Sequence, residues 1–96
     1  MTFDTVLEAF AEYLREDTEY EVILTSRGYA VMGWDDGRNN WNTSEHCATP
    51  ADLLDHLLDA FCGFRELEIT GGDRPLTEAE ERQIEKERQA MAGRCR

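Results

Sequence analysis

At 96 residues, with 41% apolar and 32% charged residues, the chain is long enough for one domain with one core and too short for two. Its 21 acids against 10 bases give a net charge of -11, which repels nucleic acid, anionic membranes and acidic substrates and favours a partner with a basic surface. No apolar run approaches the roughly 20 residues of a membrane span, the start MTFDTVLEAF has no basic leader, and the three widely spaced cysteines make no disulfide framework, so a soluble, cytoplasmic, reduced protein is expected.

Phe3, Val6, Leu7, Phe10 and Leu14 recur at three- and four-residue steps, with Tyr13 beside them, which predicts an amphipathic first helix capped by Thr2. Asp4, Glu8, Glu12 and Glu16 follow at strict four-residue intervals and stack as a row of like charges on the opposite face. After Asp17 the period falls to two. Tyr20 to Leu24 and Tyr29 to Trp34 read as a hairpin about the turn Ser26-Arg27-Gly28, with Glu19 and Glu21 on the polar side of its first strand. The loop Asp35-Asp36-Gly37-Arg38-Asn39-Asn40 holds residues that tolerate positive φ and leads to a third strand from Trp41 to about His46.

Thr49-Pro50-Ala51-Asp52 starts a second helix, with an N-cap hydroxyl, a proline in the first turn and an acid at the third position. Leu54, Leu57, Leu58 and Phe61 form its buried face, and Asp52, Asp55 and Asp59 its polar one. Gly63 weakens this helix by about 1 kcal/mol relative to alanine, and Gly71-Gly72 ends it. Thr77-Glu78-Ala79-Glu80 is a capping box for a last helix whose apolar residues, Ala79, Ile84, Ala90, Met91 and Ala92, are too few for a broad core-facing stripe. That helix is expected to lie loosely, to pair with a second copy or to fray, with solvated ion pairs such as Glu78 with Arg82. The expected architecture is α+β in the order α-β-β-β-α-α, a three-stranded antiparallel meander packed by two helices plus a polar C-terminal helix. Residues 1–70 form the acidic domain and 71–96 a diglycine linker with the charged helix. The expected core is Phe3, Val6, Leu7, Phe10, Leu14, Val22, Leu24, Val31, Leu54, Leu57, Leu58 and Phe61.

Ten of the eleven net charges lie in residues 1–60, where thirteen acids face only Arg15, Arg27 and Arg38. Carboxylates at four-residue helical spacing recur every about 6 Å, half as densely as phosphates at about 3.4 Å along one DNA strand. Adding Glu19, Glu21, Asp35, Asp36, Asp52, Asp55 and Asp59 raises the density to that of a phosphate mimic if these elements share a face; otherwise the acids are ordinary solubilising surface. Trp34 and Trp41 bracket the acidic loop and become neighbours across the strands, either as an anchor for a partner's arginine or as core packers against the helices.

His46, Cys47, His56 and Cys62 are the only metal-like grouping, and adjacent His46-Cys47 lacks the two- to four-residue ligand spacing of a zinc site. No metal, cofactor or catalytic residue is therefore expected. Phosphate-binding glycine motifs are missing, and the single lysine disfavours direct nucleic-acid binding.

The segments TFDTVLEAFAEYLRED, TSRGYAVMGWDDGRNNW, TPADLLDHLLDAFCGF and GGDRPLTEAEERQ resemble those of small acidic proteins of unassigned role carried on mobile elements of gut Firmicutes. In size and acidity the chain also resembles anti-CRISPR proteins from such elements, which often block the basic nucleic-acid channel of an effector nuclease. That resemblance implies a non-catalytic inhibitor that occupies a basic, nucleic-acid-binding protein surface, in the specific case that of a CRISPR effector nuclease. The alternative is a homo-oligomeric interaction module, a homodimer through the last helix or an exposed strand, with an accessory role on its element.

Overall fold

The threonine hydroxyls at the helix starts act as the sequence predicts. Thr2 Oγ1 accepts the Thr5 N–H at 3.1 Å while Thr5 Oγ1 accepts the Thr2 N–H at 2.8 Å, closing a capping box, and Thr49 Oγ1 accepts the Asp52 N–H at 3.1 Å. In the computed structural model, which describes residues 1–96, the elements are α1 (Phe3–Glu16), β1 (Tyr20–Thr25), β2 (Gly28–Asp35), β3 (Asn40–Cys47), α2 (Pro50–Thr70) and α3 (Glu78–Arg94). The class is α+β and the order is α-β-β-β-α-α. Gly63 is exposed and does not interrupt α2, since the buried leucine face of this 21-residue helix outweighs one weak propensity. Gly71 ends the helix at φ +66°, a left-handed cap that its missing side chain permits.

The strands pair antiparallel in the order β1-β2-β3. Val22 stands opposite Val31, and Val31 opposite Glu45; Tyr29 stands opposite Leu24 and Cys47. One face of the sheet therefore carries Tyr20, Val22, Tyr29, Val31 and Cys47, all of which join the core. A register shift between Gly33 and Trp34 leaves Asn42 without a ladder partner and sets Trp34 directly opposite Trp41. Gly33 suits this point because a Cβ there would meet Thr43 Oγ1 at 2.5 Å.

Helix α2 lies over β2 and β3 and touches both other helices. Leu53 and Leu57 are fully buried, and Leu54 and Leu58 nearly so. Phe10 meets Phe61 edge-on at 6.4 Å, and Tyr13 meets Phe61 and Phe64 at 5.6 Å each, so α1 and α2 lie side by side pointing the same way. Phe3 reaches the sheet at Tyr29, with ring centroids 4.9 Å apart.

Several core expectations need correction. Leu24 is 69% exposed: it stands beside the turn at the far end of the edge strand β1, whose Tyr20 and Val22 reach the core. Phe3, Leu7, Leu14, Val22 and Phe61 are half-buried at the margin of the core, whose centre instead includes Ala9, Tyr13, Cys47, Leu53, Met91 and Cys95. The last helix does not lie loosely. Ile84, Met91 and Cys95, at steps of seven and four, are buried, so a narrow stripe seats α3 against α1 and α2. Across that seam Arg65 donates to Glu87 at 2.8 and 3.4 Å and to Glu68 at 3.0 Å, while the expected Glu78–Arg82 pair does not form. Arg74 clamps the preceding loop onto Glu80 at 2.7 and 2.9 Å, which with the Thr77 N–H holds that carboxyl down at about 2. No helix is long and apolar enough to cross a membrane.

Burial separates two leucines of the same chemistry. Leu57→Ala is expected to cost about 2–5 kcal/mol by cavity formation, whereas Leu24→Ala changes stability by less than about 0.5 kcal/mol. Urea denaturation followed by circular dichroism checks both, and equal losses would contradict the packing described.

Candidate functional site

Three chain segments meet at one corner of the molecule: the C-terminal end of α1, the start of β1 and the middle of α2. Asp17 is where α1 stops. Its N–H donates to the Tyr13 carbonyl at 3.0 Å, and its buried carboxylate accepts the Tyr13 hydroxyl at 2.6 Å and the Glu19 N–H at 3.1 Å. These bonds turn the chain sharply from helix into strand and fix Glu16 and Glu19 on either side of the turn. Burial, and then the Asp17 carboxylate, push the Tyr13 phenol far above its ordinary value.

Glu16, Asp17, Glu19 and Asp59 line an open hollow of about 380 Å³ floored by Phe64 and Leu67, with no lysine or arginine in its walls. Tyr20, Asp59 and Ala60 continue into a second hollow of about 270 Å³ that adds Glu45 and His56. Leu67 is 54% exposed, so the acidic corner has an apolar element. Glu45 reaches the site because it stands opposite Val31 on the helix-facing side of β3.

The sheet extends this corner. The Trp34 N–H donates to the Glu19 carbonyl at 2.6 Å, placing Trp34, Trp41, Asp35 and Asp36 at the same end of the molecule as Glu19. The two indoles are in edge-to-face contact, with centroids 5.0 Å apart and planes at 77°. They occupy the face of the sheet turned away from the helices and are absent from the core, so the core-packing alternative does not hold. Alternation along β2 explains it: Trp34 falls on the side of Ala30 and Met32, opposite to that of Val31.

The remaining candidates are dispersed. Asp4 and Asp52 sit in the first turns of the parallel α1 and α2, and twelve residues separate Asp4 from Glu16, about 18 Å along the axis. There they favour the helix dipoles. Glu8, Glu12 and Glu16 share surface hollows with Arg94, and Glu12 and Glu16 also with Arg65, so α2 and α3 bring cations to that flank of the α1 row. Glu21 points to the outer face of the sheet opposite Met32, and Asp55 is exposed one turn before Asp59. Among the eleven acidic candidates only Asp35 is ion-paired, with Arg38 at 3.8 Å.

Asp17 and Glu45 were not singled out by sequence reasoning. A tyrosine four residues before an acid at a helix end, and a period of two counted back from buried Cys47, are the signals that point to them. Strand alternation also parts His46 from Cys47 across the sheet, and no group of three His, Cys, Asp or Glu side chains is arranged to hold a metal ion. Burial raises the Cys47, Cys62 and Cys95 thiols above their ordinary values, the wrong direction for a nucleophile. Exposed unpaired carboxylates beside an apolar floor suit the binding of cationic side chains. No family model, curated protein or solved structure matches the chain.

Tyr13→Phe removes a hydrogen bond to a buried carboxylate and is expected to destabilise the fold by about 1.5–3 kcal/mol near neutral pH. The raised phenol adds a pH signature. Its contribution is complete below the ordinary tyrosine value of 10.0 and declines above it, where the unfolded chain releases a proton that the folded chain keeps. Urea melts across the alkaline range should show a shallower loss of stability in Tyr13→Phe than in the parent; identical slopes would contradict this assignment.

Proposed function

We propose that this protein is a non-catalytic binder whose acidic corner occupies a basic, nucleic-acid-binding surface of a partner protein. One observation carries the reading: Glu16 at the end of α1, Glu19 in the turn before β1 and Asp59 in α2 line one hollow whose walls contain no basic residue. Net negative potential at a water-accessible corner, reduced at Glu16 by Arg65 and Arg94 on its other flank, speeds encounter with a cationic surface and weakens as salt screens it. Asp35 and Asp36 at the adjoining sheet end, and Asp55 one turn along α2, widen the field. Asp4, Glu8, Glu12, Glu21 and Asp52 contribute at longer range, with Arg94 opposing Glu8 and Glu12.

The narrowest form of the proposal is an anti-CRISPR inhibitor, in which these carboxylates take lysines and arginines that an effector nuclease uses for guide RNA or target DNA. The resemblance in size and acidity supports that form. A second reading, a homo-oligomeric accessory module, is favoured by exposed Leu24 on the free edge of β1. The last helix supports it less, since its apolar residues are already buried within the chain.

Immobilised full-length protein is expected to retain a basic nucleic-acid-binding protein at low salt and release it along a salt gradient. Neutralising the corner with Glu16→Gln, Glu19→Gln and Asp59→Asn should weaken capture by about tenfold or more, while Asp4→Asn with Glu8→Gln has a much smaller effect. Guide-directed cleavage by a panel of CRISPR effector nucleases tests the narrow form. Capture that is insensitive both to salt and to the triple substitution would sink the electrostatic mechanism, and a sedimenting dimer with no other partner would favour the second reading.

A further inference from the structure

We propose that the open end of the sheet is a receptor for an arginine side chain of a basic protein, with the indoles of Trp34 and Trp41 and the carboxylate of Asp36 as its contacts. The inference deepens the reading above and rests on it for the basic character of the partner. Trp34 is half-buried and Trp41 is 36% exposed, on the sheet face that no core residue covers. The bulge after Gly33 sets them opposite one another, and the edge-to-face contact at 5.0 Å holds both rings without a partner present. The Trp34 Nε1–H donates to Asp36 Oδ1 at 2.7 Å, which fixes the carboxylate at the edge of the indole. Asp36 makes no ion pair, since Arg38 lies beside Asp35 and its side chain is 82% exposed.

This arrangement matches a guanidinium. Laid on an indole face, a planar cation gains from the negative face of the ring and presents its N–H edge to the second oxygen of Asp36. Lysine provides a point charge but no plane to stack. Asp35, Asp36 and the neighbouring Glu19 make the surroundings negative, which complements a basic partner and opposes face-to-face pairing of two copies that each carry -11. Preorganisation by the indole–carboxylate bond and the bulge lowers the ordering cost of binding.

The chain has only two tryptophans, so intrinsic emission reports on this surface directly. Full-length protein at low salt is titrated with a capped tetra-arginine peptide and with its tetra-lysine counterpart. The arginine peptide is expected to perturb tryptophan emission and to half-saturate at a concentration about fivefold lower than the lysine peptide. Asp36→Asn should erase that preference with an unchanged circular dichroism spectrum; should it fail to fold, Trp41→Leu takes its place with the same expectation. Glu16→Gln with Asp59→Asn should weaken both peptides alike and leave the preference. If corner neutralisation changes neither affinity, the acidic-corner reading fails while a persisting arginine preference still carries this one. Equal responses to the two peptides, a preference that survives Asp36→Asn, or emission that shifts with protein concentration alongside a sedimenting dimer would each overturn the receptor.

Discussion

Four leucines in two consecutive pairs, Leu53-Leu54 and Leu57-Leu58, are the constraint on which the rest of the structure depends. A helix with one sheet beneath it needs a single apolar stripe, whereas paired leucines at i, i+1, i+4 and i+5 give a broad one that faces more than one neighbour. Accordingly α2 covers β2 and β3 and also holds α1 and α3, with all four leucines buried. Fully burying such a side chain is worth about 1.5–3 kcal/mol, and these four make up a third of the twelve-residue buried cluster.

The electrostatic character of the molecule follows from that placement. Because Phe10 and Tyr13 pack on Phe61 and Phe64, α1 runs parallel to α2 and ends near Asp59. The buried Tyr13–Asp17 hydrogen bond then reverses the chain and brings Glu16 and Glu19 to the same place. Meanwhile the seam of Ile84, Met91 and Cys95, joined by the Arg65–Glu87 pair, carries Arg94 alongside Glu8 and Glu12. The uniform spacing of the α1 acids thus becomes an uneven field: Arg65 and Arg94 flank one side of the row, while at its end Glu16 also borders a hollow with Asp17, Glu19 and Asp59 that holds no base. Like charges close together cost stability in a folded domain. The proposed binding role would give these like charges, gathered beside Phe64 and Leu67, a use that offsets that cost.

The Trp34–Trp41 pair shows how a local irregularity shapes chemistry at the same end. Without the bulge after Gly33 the two indoles would be offset along the ladder; with it they meet, and Asp36 hydrogen-bonds the first of them. Neither ring contributes to the core, so their bulk at a water-exposed edge is unexplained by packing alone.

Local periodicity and capping chemistry settled the elements of this protein in advance: Thr2, Thr49 and Thr77 as helix starts, Gly71 as a stop, the two-residue alternation from Tyr20 to Leu24 and from Tyr29 to Trp34, and the order α-β-β-β-α-α. These features are set by neighbours a few residues away, and a sequence displays such neighbours directly. What lies across the chain was decided only in three dimensions. Leu24 is left exposed at the turn end of the edge strand β1, Met91 and Cys95 are buried because α3 folds back, and Asp59 joins Glu16 while Asp4 does not. Charge count is a property of composition, but potential at a point depends on the distances between side chains remote in sequence, and those distances exist only once the leucines of α2 have been packed.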